Sequence, residues 1–199
     1  NNSASGIVLR TTPGKPDSLD LLVLDARGTD ISPTVRRTVE RAYLTKDFRR
    51  PSSREIGDVV VPHRVAEDYA NNLFSAIPVD GLAQASLRVV VDTGGGAAAL
   101  VLPTVIGRVG VEVLAVNNWL DESRPTDTGD DRAKSLTTLA GLVATSRADF
   151  GVRFDPAGER LSLIDETGRI VPDDRAALIV SDLECAESHG GVALPVTTT

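Results

Sequence analysis

The sequence predicts an α/β fold, and three observations carry that prediction. From residue 62 onward strand-like and helix-like runs take turns along the chain, the pattern of a doubly wound α/β layer. The β-branched run Leu87-Arg88-Val89-Val90-Val91 passes directly into Asp92-Thr93-Gly94-Gly95-Gly96, as a strand does where it turns tightly into a helix. Residues 161–171 alternate apolar and polar side chains around Thr167-Gly168, which marks a hairpin.

Residues 6–60 read as two or three strands and one helix, with Ser32 as N-cap and Pro33 as the first helical position of a helix over 34–43. That is too little to enclose a domain. Segment 45–55, with Lys46, Arg49, Arg50 and Arg54, reads as a basic connector whose charges are solvated. A helix over 65–76 sets Val65, Tyr69, Leu73 and Ala76 at helical spacing and is expected to pack on the sheet. After the strand at 87–91 comes a helix near 98–109, where Pro103 fits a first turn and so moves the start later.

A strand at 111–116 leads into the polar loop 117–131, long enough for a structureless connection to be functional or mobile. Trp119 in it reads as an anchor that packs the loop. A helix over 132–146 and a strand over 149–154 follow. Beyond the hairpin, Pro172-Asp173-Asp174-Arg175 opens a helix to about residue 187, its acids placed where the helix dipole favours them. A last strand is expected at 192–196.

Composition bounds the function. With 199 residues and 41% hydrophobic content there is chain for one large domain or two small ones. A net charge of −7 leaves no basic stripe for phosphates, and 4% aromatics are too few for base stacking, so a nucleic-acid partner is not expected. No apolar run approaches the roughly 20 residues that span a bilayer, and no leader pattern opens the chain, so a cytoplasmic protein without a membrane partner is expected. The single Cys185 excludes an internal disulfide and reads as a small buried apolar residue. His63 and His189 have no zinc-ligand spacing and read as surface or turn residues. The chain opens at Asn1 and contains no methionine; either it is cut from a longer polypeptide, or modified methionines are missing from the sequence and some spacings are short by one.

Chemistry concentrates in Phe154-Asp155-Pro156-Ala157-Gly158-Glu159-Arg160, between two strand-like runs. Where a loop has the form Asp-x-Asp-x-Asp-Arg, alternate carboxylates converge on one hard cation and the arginine reaches a phosphate that the cation also touches. Asp155 fills the first place, Ala157 the second and Glu159 the third, so one carboxylate is missing. An acidic turn of this kind also reads as a solvated β-turn. The turn at 92–96 lacks the lysine and hydroxyl residue of a nucleotide P-loop, and reads as a tight strand-to-helix turn or as an anion contact.

This block resembles the metal-loop region of the α-D-phosphohexomutases, the phosphomannomutases and phosphoglucomutases, whose loop reads Asp-Gly-Asp-Ala-Asp-Arg. The resemblance extends along the chain. Residues 87–97 are similar to the strand and glycine turn that open the family's second domain, 109–117 to its next strand, and Asp25-Ala26-Arg27-Gly28 with Glu55-Ile56-Gly57-Asp58 to the tail of its first domain. It implies a three-layer α/β/α sandwich on a mixed, mostly parallel sheet. It also divides the chain into the end of a first domain (1–60), a second domain (61–170) and the start of a third (171–199).

The family's catalytic serine lies in Thr-Ala-Ser-His-Asn-Pro, and ungapped counting from Asp25-Ala26-Arg27-Gly28 puts Thr12 in its place, with Pro13 and Gly14 for histidine and asparagine. Thr11-Thr12-Pro13-Gly14 also reads as an ordinary turn. The resemblance therefore gives catalytic places to Thr12 and Arg160, and metal places to Asp155 and Glu159. Mg²⁺ binding is expected to be weak or lost, because hard-cation affinity follows the number of charged oxygens. The implied activity is phosphoryl transfer between hydroxyls of a hexose phosphate, with a degenerate serine and metal loop. The alternative is a non-catalytic sugar-phosphate-binding or assembly module. Gly6-Ile7-Val8-Leu9-Arg10 with Pro13-Gly14 is similar to actinobacterial proteins in which a mannose-1-phosphate guanylyltransferase precedes a mutase-like half. The implied partners are a hexose phosphate and the rest of a parent chain: third and fourth domains and an N-terminal nucleotidyltransferase.

Overall fold

The computed structural model describes residues 3–188 apart from 56, 62, 78 and 125. It divides into two compact units, Asn1–His63 and Arg64–Thr199. The expected strand at 192–196 and His189 lie outside the described residues.

In the first unit, β1 (Gly6–Thr12) and β2 (Lys15–Leu24) form an antiparallel hairpin with Gly6 opposite Leu24 and Thr11 opposite Leu19. Gly14, at φ 76°, supplies the left-handed residue of the Pro13-Gly14 turn. The register then shifts, so that Thr12 pairs with Lys15 and Pro16, Asp17 and Ser18 have no partner on β1, which suits a proline without an N–H to donate. Helix α1 (Pro33–Thr45) begins where the sequence places it: Pro33 is in the first turn and Ser32 Oγ accepts the Val35 N–H at 3.4 Å. No residue of α1 is fully buried, and Leu9, Leu21, Tyr43 and Leu44 are more than half exposed. Two strands and one helix bury little apolar area, as the sequence indicates. The connector that follows is solvated, with Arg49 paired to Glu55 and Arg50 over the Phe48 ring.

The second unit is built on a five-stranded sheet in the order β4-β3-β5-β6-β7. Strands β3 (Arg88–Asp92), β4 (Glu112–Val116) and β5 (Phe150–Phe154) are parallel; β6 (Leu161–Asp165) and β7 (Ile170–Val171) return antiparallel, giving the mixed sheet. From β3 the chain crosses to β4 on one side, and from β4 it crosses back past β3 to β5. Since both crossovers are right-handed by rule, their helices fall on opposite faces of the sheet. These are α4 (Leu102–Val109) and α5 (Gly129–Ser146), and the result is a three-layer α/β/α sandwich.

The core lies under α5, where Leu136, Leu139 and Val143 meet Val90, Ala148 and Ile164. Burying each such large apolar side chain stabilises the fold by about 1.5–3 kcal/mol. Val90 pairs with Gly151 and Gly151 with Ile164, so the three share one face. Position 151 is glycine because α5 lies so close: a Cβ there would sit 2.5 Å from Val143 Cγ2.

Several expectations are corrected. Helix α2 (Val65–Ser75) buries Ala70 and packs on α4, not on the sheet; Val65 and Tyr69 are 56% and 59% exposed. The α2–α4 contact is held by Arg108, which bonds Asn71 at 2.6 Å and lies 5.6 Å from the Phe74 ring centre. Helix α5 starts three residues before the expected 132, because Thr128 and Asp131 form a reciprocal capping box. A six-residue helix α3 (Val79–Gln84) was not expected, being too short to show a period. The 98–109 segment splits into a 3₁₀ turn (Ala97–Leu100) and α4, with Pro103 in the first turn of α4 as anticipated. On α6 (Asp173–Ser188), Cys185 is half-buried, not buried. No helix among the described residues is long and apolar enough to cross a membrane.

Candidate active site

The Asp155 loop follows β5 at the carboxyl end of the parallel strands, where open α/β sheets bind ligands. Its geometry is set by one carboxylate. Asp155 Oδ1 accepts the backbone N–H groups of Glu159 at 2.8 Å and Arg160 at 3.0 Å, while the Asp155 N–H donates to the Arg160 carbonyl at 3.0 Å. Asp155 is half-buried, Pro156 is buried, and Ala157, Glu159 and Arg160 are exposed. The first ligand position thus braces its own loop with one oxygen, and the second presents only a methyl group.

The glycine turn packs directly on this loop. A Cβ on Gly94 would lie 2.6 Å from the Phe154 carbonyl oxygen, and the Ala97 N–H donates to the Pro156 carbonyl at 3.4 Å. Gly94 and Gly96 donate to Asp92 Oδ1 at 2.8 Å and to the Thr93 carbonyl at 3.1 Å. With three N–H groups of the stretch engaged inside the protein, its role is that of a tight turn buttressing the neighbouring loop.

Beneath both lies a charged cluster that was not anticipated. Arg153 and Asp92 are each 2% exposed; Arg153 Nη2 bonds Asp127 at 2.5 Å, and its Nε stands 3.7 Å from Asp92 Oδ2 without a hydrogen-bond partner. Asp92 Oδ1 also accepts from Asn117 Nδ2 at 2.9 Å, and Thr93 Oγ1 donates to the Asn117 carbonyl at 2.6 Å. The cluster therefore ties the ends of β3 and β5 to the loop between β4 and α5. Its signal was present in the sequence: in Phe150-Gly151-Val152-Arg153-Phe154 a charge sits in phase with Gly151, on the buried face.

Thr12 belongs to the first unit, at the end of β1, where its hydroxyl donates to Asp20 Oδ1 at 2.7 Å. Trp119 is 59% exposed and does not anchor its loop as expected; it stands at the rim of a small cavity with Gly94, Gly95 and Arg124.

A family model described as "Phosphoglucomutase/phosphomannomutase, alpha/beta/alpha domain II" matches residues 67–168. The chain belongs to that family. It is 27% identical over 198 residues to a phosphoglucomutase/phosphomannomutase of Thermococcus kodakarensis, covering 100% of this chain and 43% of that protein. It is 29% identical over 177 residues to the phosphoglucosamine mutase of Aeromonas salmonicida, covering 89% of this chain and 39% of that one. Among solved structures, a phosphoglucomutase/phosphomannomutase family protein of Burkholderia thailandensis superposes with a TM-score of 0.70 at 21% identity, over 92% of this chain and 38% of that one. This likeness bears on the fold. The chain spans less than half the length of these mutases.

Within this mutase domain the donor set does not fit a three-carboxylate magnesium site. The loop offers Asp155, one of whose oxygens is turned into the loop, and Glu159; among the described residues no three acidic, histidine or cysteine side chains group to hold a metal ion.

Proposed function

We propose that this chain is a phosphohexomutase-type unit that handles a hexose phosphate and whose phosphoryl transfer is weakened. In this reading 1–60 is the end of a first domain, 61–170 the second and 171–199 the start of a third. The parent protein would add the remaining domains, with a guanylyltransferase as a fused half. The observation that supports weakened turnover is Ala157, a methyl group in the second ligand place beside an Asp155 already bonded to its own loop. Fewer charged oxygens mean a weaker hold on Mg²⁺, and a weaker charge stabiliser for the transferring phosphoryl group. Arg160, exposed at the end of the loop, keeps the planar donor fork that suits a phosphate.

A second reading, a working mutase, is favoured by one contact. The Thr12 hydroxyl already faces the Asp20 carboxylate at 2.7 Å. In that reading Thr12 Oγ1 attacks the phosphorus of the sugar phosphate and its proton passes to Asp20; as the phosphorus–oxygen bond to the sugar breaks, the departing oxygen takes a proton from solvent to become the free hydroxyl, and Asp20 returns its own to solvent.

Mutase assays with glucose 1-phosphate and mannose 1-phosphate, a hexose bisphosphate and Mg²⁺ separate the two, run on the wild type and Asp155→Ala. The proposal expects hexose phosphate binding with little or no turnover in either protein, and no phosphate on Thr12 by mass spectrometry. Turnover that Asp155→Ala abolishes, with phosphate found on Thr12, establishes the second reading instead.

A further inference from the structure

We propose that the cleft between the carboxyl ends of β3 and β4 is a second ligand site, which takes the phosphate of a phosphorylated sugar on Arg124 and Lys134 and its hydroxyls on Ser135, Asn117 and Asp92. The position is a topological switch point: the connections leaving β3 and β4 run to helices on opposite faces, which opens a crevice between them. The cleft has a volume of about 340 Å³ and lies wholly within the second unit. That is the small end of the range for ligand pockets, about 300–1,000 Å³.

The charges in it are layered. At the base, Asp92 lines the cleft and pairs with the buried Arg153, which also pairs with Asp127 and lines an adjoining small cavity. This layer is net negative and rich in acceptors, so it suits hydroxyl donors. At the mouth stand Arg124, from the loop after β4, and Lys134, from α5; among the described residues neither side chain makes a hydrogen bond or an ion pair, nor does the Ser135 hydroxyl. Both cations line the same cleft, beside Asp131. The one carboxylate at the mouth, Asp131, accepts from Thr128 Oγ1 at 2.6 Å. Two cations against that one carboxylate leave the mouth net positive. A ligand with an anionic end and a hydroxyl-rich body matches both layers.

The choice of a hexose phosphate rests on the functional reading above, and the experiment keeps the two apart. Backbone amide NMR of the whole chain is followed during titration with glucose 1-phosphate, inorganic phosphate and glucose, in the wild type, Arg124→Gln/Lys134→Gln and Arg160→Gln. The proposal expects glucose 1-phosphate to shift the amides of Asn117 and Ser135, inorganic phosphate to do so more weakly and glucose not at all. The double variant should weaken the binding read at Asn117 and Ser135 by about tenfold or more, the loss of charge-assisted hydrogen bonds, whereas Arg160→Gln should change only the shifts of 155–160. Shifts confined to 155–160 and lost in Arg160→Gln would overturn the cleft site while leaving the hexose phosphate reading standing. The absence of any shift would overturn both.

Discussion

Gly96 lies against Pro156 so closely that a Cβ at position 96 would sit 2.0 Å from the Pro156 carbonyl oxygen. Neither partner of that contact is a flexible side-chain end, so nothing can swing away. The turn after β3 and the loop after β5 therefore hold their positions together. Gly96→Ala is expected to be destabilising by about 2–4 kcal/mol, in the range of overpacking with backbone displacement. It should also broaden or shift the amides of 155–160. Urea unfolding and amide spectra check this; a variant of wild-type stability with an unchanged loop would show that the two segments are not coupled.

Arg153 presents a different balance. Its ion pairs with Asp92 and Asp127 contribute little net stability, since taking three charges out of water offsets most of their attraction. Removing only the cation leaves two buried carboxylates facing each other across its former place. Arg153→Ala is therefore expected to cost about 3–5 kcal/mol. Replacing all three groups together, with Arg153→Met, Asp92→Asn and Asp127→Asn, should recover a substantial part of that loss. A triple variant no more stable than Arg153→Ala in urea unfolding would argue against this account.

The legible part of the fold was the part dictated by local chemistry. The β-branched run of β3, the Ser32-Pro33 start of α1 and the acidic start of α6 each state their structure within a few residues. The alternation of strands and helices, with handed crossovers, supplied the layers. Less legible was anything decided by what an element meets in space. The spacing in α2 marked an apolar face, but α4 is what it packs on, so Tyr69 points to solvent and Ala70 is buried. At the candidate site, the loop and its missing carboxylate could be read directly. The purpose of Gly94 and Gly96 could not, because it depends on the backbone of 154–156, far along the chain.

Two glycines over the same helix should respond oppositely to alanine. Gly141, inside α5, has nothing within 4 Å of an added Cβ, and Gly→Ala in a helix interior removes chain entropy from the unfolded state. Gly141→Ala is expected to stabilise by about 0.5–1 kcal/mol. Gly151→Ala drives a methyl into Val143 and Leu139 in the core and should destabilise by about 1–3 kcal/mol. Thermal unfolding of the pair tests the packing of α5 on the sheet; a stabilising Gly151→Ala would mean that α5 lies further from β5 than described.

The capping box at the start of α5 gives stability a defined acid dependence. Asp131 Oδ2 accepts from Thr128 Oγ1 at 2.6 Å and from the Thr128 N–H at 3.2 Å, and these bonds, the hydroxyl first, hold its carboxyl below the ordinary 3.8. The unfolded chain lacks them and takes up its proton at the ordinary value. Above that pH both states are charged and the contribution is complete. As pH falls below it the unfolded state binds more protons than the folded one, so stability declines until the folded carboxyl is protonated too. Thr128→Ala removes the hydroxyl that accepts the Asp131 N–H and donates to the Asp131 carboxylate, and should cost about 1 kcal/mol at pH 7, the usual effect of losing an N-cap. Because the variant no longer has the largest cause of the depressed value, it has less to lose in acid. The stability gap between wild type and Thr128→Ala should therefore narrow as pH drops from 5 to about 3. Urea midpoints across that interval measure it, and a gap that stays constant would assign the cap's whole effect to the Asp131 N–H bond to Thr128 Oγ1, with no share for the carboxylate.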